Sequence, residues 1–169
     1  MVTEKFCVKH GTAVAIGCFD GLHVGHKAVI DSAVTFGRAN SLKSVVFKIE
    51  RNFDTLLTCD ETAEILCLWG IDKIVSQALD TEFMNLSCEE FVEQYLRNFL
   101  CAKFVSVGYN FRFGKGAVGD VAVLRKLCNM YDIEVCVIPA VSIDGEVVST
   151  TKIREMLKFG KDITKYLSR

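Results

Sequence analysis

The sequence predicts an α/β domain with a mainly parallel five- to six-stranded sheet and helices on both faces. Three observations carry that prediction. Short apolar or β-branched runs alternate with longer stretches of helical periodicity, as in repeated strand–helix–strand units. Half of the 169 residues are apolar and mean hydropathy is +0.28, which suits one sizeable core and argues against disorder. No repeat, low-complexity tract or linker breaks the order, so residues 1–169 are expected to form a single domain.

Residues 1–11 are uninformative. Ala13–Ile16 is a short apolar strand closed by Gly17, and Cys18–Leu22 is a turn. Val24–Ala39 reads as an amphipathic helix with Val24, Ala28, Val29, Ala33 and Phe36 on its apolar face. Lys43–Lys48 is a buried-strand pattern, and Ile49–Thr58 is irregular. Cys59-Asp60 offers a cap for a helix through Leu68 that ends at Gly70. Asp72–Ser76 is a third strand, followed by an acidic linker. Ser87 with Glu90 forms a capping box that opens a helix through Leu100. Lys103–Gly108 is a fourth strand, Tyr109–Gly119 a glycine-rich loop, Val121–Met130 a helix, and Ile133–Ile138 a fifth strand ended by Pro139. Val141–Val148 suggests a hairpin around Asp144-Gly145, and Thr150 or Thr151 caps a last helix to Phe159-Gly160.

Composition narrows the function. A net charge of −1 argues against an electrostatic nucleic-acid binder. The eight cysteines contain no C-x-x-C pair and read as small core residues in a reducing compartment. No leader pattern and no apolar run near the ~20 residues of a membrane span is seen, which predicts a cytoplasmic protein without membrane partners. Six Lys or Arg between Thr151 and Arg169, against Glu155 and Asp162, could face solvent or a phosphorylated ligand.

Three segments carry candidate chemistry, each just after an expected strand and so on one rim of the sheet. In the first, His23 and His26 stand three apart at a strand–turn–helix junction, where backbone amides and the helix dipole favour an anion. Gly25 between them leaves room for a ligand. A polar surface pair is the plainer explanation for two such histidines alone. His-x-Gly-His after a strand and a glycine turn resembles the signature of nucleotidylyltransferases, whose histidines hold nucleoside triphosphate phosphates. The second segment is the Gly/aromatic loop from Gly108 through Asn110, Phe111, Arg112 and Phe113 to Gly114; an ordinary turn with two buried aromatics is its plainer reading. In the third, the hydroxyls of Ser149, Thr150 and Thr151 sit at a helix start with Arg154 a turn away. That set suits a phosphate, although helix capping explains part of it.

Together, Gly17-x-Phe-Asp-Gly-x-His-x-Gly-His26, Gly108-x-Asn-Phe-x-Phe-Gly114 and Ser149-Thr-Thr-x-Ile-Arg154 resemble the FMN adenylyltransferase (FAD synthase) module of the bacterial bifunctional riboflavin kinase/FAD synthetase family. The resemblance runs from about residue 12 to the C-terminus, with the blocks in the family's order. It implies a Rossmann-like nucleotidylyltransferase fold and an enzyme of FAD biosynthesis that converts FMN and ATP to FAD and pyrophosphate, with Mg²⁺ held mainly through substrate phosphates and no dedicated metal ligands. His23, His26 and Arg154 are then the catalytic candidates. Gly17, Cys18, Phe19, Asp20, Gly25, Ser149, Thr150 and Thr151 would meet ATP; Asn110, Phe111, Arg112, Phe113 and Gly114 would meet FMN.

The chain departs from the family's pattern at several places. Where the family has Thr-Phe-x-Pro-His-Pro, this sequence reads Val46-Phe47-Lys48-Ile49-Glu50-Arg51, lacking the histidine that faces the ATP phosphates. Glu50 falls near its place, with Lys48 or Arg51 as candidates to compensate. Cys18 replaces a frequent Asn, Asn110 a common Asp and Thr150 a usual Ser. No riboflavin kinase domain is expected within these residues, so a riboflavin kinase would supply FMN. The alternatives are another nucleotidylyltransferase, such as a cytidylyltransferase, and a degenerate flavin- or nucleotide-binding module without catalysis.

Overall fold

A computed structural model describes residues 11–50 and 55–167. Strand β1 (Thr12–Gly17) leads to helix α1 (Val24–Ala39), β2 (Lys43–Glu50), α2 (Cys59–Leu68) and β3 (Lys73–Ala78). A short α3 (Thr81–Met84) occupies the expected acidic linker. Helix α4 (Cys88–Glu90) runs directly into a π-helical segment, Phe91–Phe99. Strand β4 (Ala102–Gly108), α5 (Val121–Asn129) and β5 (Glu134–Ile138) follow, then the hairpin β6 (Ser142–Ile143) and β7 (Glu146–Val147), and α6 (Thr150–Lys158).

The sheet has five strands, all parallel, in the order β3-β2-β1-β4-β5. The order reverses between β1 and β4, so loops leaving their carboxyl ends diverge and open a crevice there. Alternation along the strands feeds two apolar layers. Ala13 and Ala15 join Val29, Ile30, Ala33 and Val34 of α1 and Leu66 of α2 on one face. Val14, Ile16, Val105 and Val107 join Phe83, Phe91, Leu96 and Leu124 from α3, the π-segment and α5 on the other. Helices thus cover both faces, as the strand–helix alternation predicts.

Several local expectations shift. The buried stripe of α1 is Val29, Ile30, Ala33, Val34 and Gly37, whereas Val24, Ala28 and Phe36 are only partly covered. Thr58, not Cys59 or Asp60, caps α2, through a capping box with Glu61. The Ser87–Glu90 box is present. Ser149, and neither Thr150 nor Thr151, caps α6. The reading of the cysteines as small core residues holds only in part. Among the described free thiols Cys88 and Cys128 are buried, Cys18 and Cys136 are half-buried, and Cys59 and Cys67 are exposed, while Cys101 is disulfide-bonded. Among the described residues no helix is long and apolar enough to cross a membrane.

Candidate active site

The turn after β1 is the tightest backbone in the region. Phe19 (φ 50°), Gly21 (φ 78°) and Leu22 (φ 41°) all adopt left-handed conformations. For Phe and Leu that costs of order 1 kcal/mol each or more, and burial of both side chains, each 2% exposed, holds them there. The turn directs Asp20 and His23 towards the crevice between β1 and β4.

His23 lies before the helix, as the N-cap of α1. Its Nδ1 accepts from the backbone N–H of Gly25 at 3.1 Å and of His26 at 3.3 Å. Accepting two donors occupies the Nδ1 lone pair, which puts the ring's single proton on Nε2. Burial holds the His23 pKa down to about 4 against the opposing pull of Asp20, so the ring is neutral at pH 7. Two amides expected to meet an anion directly are therefore spent on the imidazole, which presents a donor beyond them. Gly25 lines the cleft and also serves the cap. A Cβ there would stand 3.1 Å from His23 Cε1 and Nδ1, so the glycine makes room for the capping ring.

His26 stacks on His23 with centroids 3.6 Å apart and meets Phe19 edge-on at 5.4 Å. Its pKa is pushed well below the ordinary range, first by burial and then by His23. His26 Nδ1 is buried without a hydrogen-bond partner. Placing the proton on Nε2 leaves only a lone pair buried there, so both rings are Nε2 donors.

Helix α6 enters from the far end of the chain. The Thr150 hydroxyl donates to the main-chain oxygen of Asp20 at 3.2 Å. One turn on, Arg154 Nη2 donates to Asp20 Oδ2 at 2.7 Å. A small core of Val148, Ile153 and Tyr166, joined by Val24 and Leu56, packs this helix against the start of α1. Neither α1 nor α6 carries an acidic residue in its first turn, whereas α2 and α4 do. The starts of α1 and α6 meet at one cleft, so the positive ends of both dipoles face it.

The cleft is a cavity of about 950 Å³. Gly17, Cys18, Phe19, Asp20, His23, Gly25 and His26 line one side; Ser149, Thr150, Thr151 and Arg154 line a second. Asn110, Phe111, Arg112, Phe113 and Gly114 line a third, so all three segments singled out in the sequence share it. They do so differently. Phe19 and Phe113 are packing residues, 2% and 6% exposed, while Asn110 and Arg112 are open to solvent, Arg112 lying 4.0 Å from Asp120.

Other findings were not legible in the pattern. An apolar wall formed by Ile49, Leu79, Phe83, Leu86, Phe91 and Ile138 also faces the cavity. Its residues come from separate elements and read singly as core; the capping box before Phe91 was the only local signal. The divergent segment, whose described residues 46–50 lie within β2, behaves unexpectedly too. Lys48 is buried beside β1, with Nζ 4.0 Å from Glu50, and neither residue lines the cavity, although Ile49 does. Arg51 lies outside the described residues. In the basic C-terminal segment Lys152 pairs with Glu146 and Lys165 with Asp144, and among its described Lys and Arg residues only Arg154 lines the cleft. Among the described residues no cluster of three or more His, Cys, Asp or Glu could hold a metal ion.

The sequence profile of the FAD synthetase family matches residues 6–152. A Listeria monocytogenes protein named FAD synthetase is 29% identical over 87% of this chain and 63% of its own length. An Escherichia coli protein named bifunctional riboflavin kinase/FMN adenylyltransferase is 29% identical over 88% of this chain and 51% of its own length. The chain thus spans about half to two thirds of these relatives. In fold it is similar to a Streptococcus pneumoniae crystal structure titled as a macrolide-efflux protein, with a TM-score of 0.79 at 23% identity over 89% of this chain and 52% of that one.

Proposed function

The chain belongs to the FAD synthetase family, and on that premise we propose that it transfers the adenylyl group of ATP to FMN. One observation carries the reading: two helix starts, two imidazoles, an arginine and an aromatic-lined wall converge on a single cavity large enough for two ligands. A phosphate oxygen of FMN forms a bond to the α-phosphorus of ATP, the bond from that phosphorus to the bridging β-phosphate oxygen breaks, and pyrophosphate leaves. The step needs no protein nucleophile. The protein's part is positioning and stabilisation of charge on the α-phosphoryl oxygens and the leaving group.

In this proposal His23 and His26 donate through Nε2 to α- and β-phosphate oxygens, with Gly17, Cys18 and Gly25 forming the floor. The start of α6, with Thr150 and Thr151 beside the capping Ser149, faces the triphosphate, and Arg154 meets the charge on departing pyrophosphate. Asn110, Phe111 and Arg112 face FMN, with Phe113 and Gly114 shaping the loop beneath them. The apolar wall through Phe83 and Phe91 suits an aromatic ring system. Mg²⁺ arriving with ATP would be held by phosphate oxygens: among the described residues the one carboxylate on the cavity wall, Asp20, is already committed to Arg154, and no residue here is assigned to the ion. The domain is read as acting in the cytoplasm on FMN supplied by a riboflavin kinase activity. Nucleic acid has no part in it.

The experiment is direct. Protein, FMN, ATP and Mg²⁺ are mixed and FAD is followed by chromatography. His26→Ala should fold and lose roughly 10²–10³ in turnover. Wild-type turnover by that variant would refute the phosphate-holding role. Tight binding of FMN or ATP by the native protein without pyrophosphate release would instead favour a binding module.

A further inference from the structure

Asp20 sits in the cavity wall among expected ATP contacts, yet its bonding points elsewhere. Its side chain is 6% exposed, and both carboxylate oxygens are committed. Oδ1 accepts the backbone N–H of Leu56 at 2.7 Å, and Oδ2 accepts Arg154 Nη2 at 2.7 Å. Its main-chain oxygen accepts the Thr150 hydroxyl at 3.2 Å. An ionised carboxylate is an acceptor only and repels a polyphosphate, so it offers ATP no donor and no favourable charge.

We propose that Asp20 is a positioning residue for adenylyl transfer, holding Arg154 and the first turn of α6 in register with His23 and His26 so that the guanidinium faces the leaving pyrophosphate. Asp20 and Arg154 are 134 residues apart in the chain, so only the tertiary fold brings this carboxylate to that guanidinium. A freely rotating arginine loses several rotors' entropy on meeting a ligand; a guanidinium held by a buried carboxylate has lost part of it beforehand. Burial of Asp20 makes the anchor rigid, and Thr150 bonded to the same residue stops α6 from sliding along it. The inference rests on the adenylyl-transfer reading and adds to it a residue that touches neither substrate.

The test uses Asp20→Asn, Arg154→Ala and the double variant, assayed in both directions for kcat and for the KM of ATP, FMN and pyrophosphate. Loss of the charged partner should raise the pyrophosphate KM in Asp20→Asn roughly 10–100-fold while the FMN KM stays within about twofold. Adding Asp20→Asn to Arg154→Ala should change nothing further, since the two act as one unit. Additive losses, or a uniform fall in kcat with unchanged KM values, would overturn the inference, because a residue supporting only the fold acts without Arg154. If Asp20→Asn fails to fold, Asp20→Glu keeps the charge but displaces its oxygens. It should show the same selective rise in pyrophosphate KM, and wild-type values there overturn the proposal. Arg154→Ala with a wild-type pyrophosphate KM would instead overturn the role of Arg154 itself, and the inference with it.

Discussion

His23 performs two tasks with two different nitrogens, and substitutions can separate them. Nδ1 caps α1 by accepting from Gly25 and His26, and the proton on Nε2 faces the cavity. His23→Ala removes both functions. Loss of an N-cap costs about 1 kcal/mol, within a range of about 0.5–2. For a chain of this size each kcal/mol lowers Tm by roughly 2–4 °C. His23→Asn retains a short side-chain oxygen that can accept from the same amides, so its Tm should fall within about 2 °C of the native protein. Its amide does not reach where Nε2 stood. Both variants should therefore lose roughly 10²–10³ in FAD formation, while only His23→Ala loses the stability. Calorimetry and the chromatographic assay on the same preparations give the comparison. Equal destabilisation of the two variants would refute the cap, and native turnover by His23→Asn would refute the Nε2 donor.

Two further outcomes follow from the same physics. The folded-state pKa of His23 is depressed to about 4, so the unfolded chain binds the proton first. The stability is fully present above pH ~6.5, falls as pH drops from there towards 4, and should cost up to about 3 kcal/mol in urea titrations. His26 acts in the same direction. His23→Asn should flatten part of that acid limb, and an unchanged limb would contradict the assignment. The Ser106 hydroxyl in β4 is fully buried and lacks a partner, so Ser106→Ala should be neutral or stabilising by about 1 kcal/mol, with FAD formation unchanged. A clear loss of stability in thermal melts would show that the hydroxyl is bonded.

The sequence by itself determined the strand–helix alternation, because hydrophobic period and capping residues are local. Val24–Ala39 and the Ser87–Glu90 box appear where the pattern placed them. It also picked out the three segments that line the cavity, since glycine turns, hydroxyls at a helix start and spaced imidazoles are visible along the chain. Tertiary structure alone decided how those residues are used. Gly25 makes room for the capping imidazole of His23, Ser149 takes the cap that either threonine could have taken, and Asp20 spends its charge on an arginine from the other end of the chain. The apolar wall likewise exists only once α3, the π-segment and the strand ends meet. The physical reason is that a backbone conformation depends on neighbours in sequence. A hydrogen-bond partner or a burial state depends on what long-range packing brings within about 3–4 Å, and period and spacing hold no record of that.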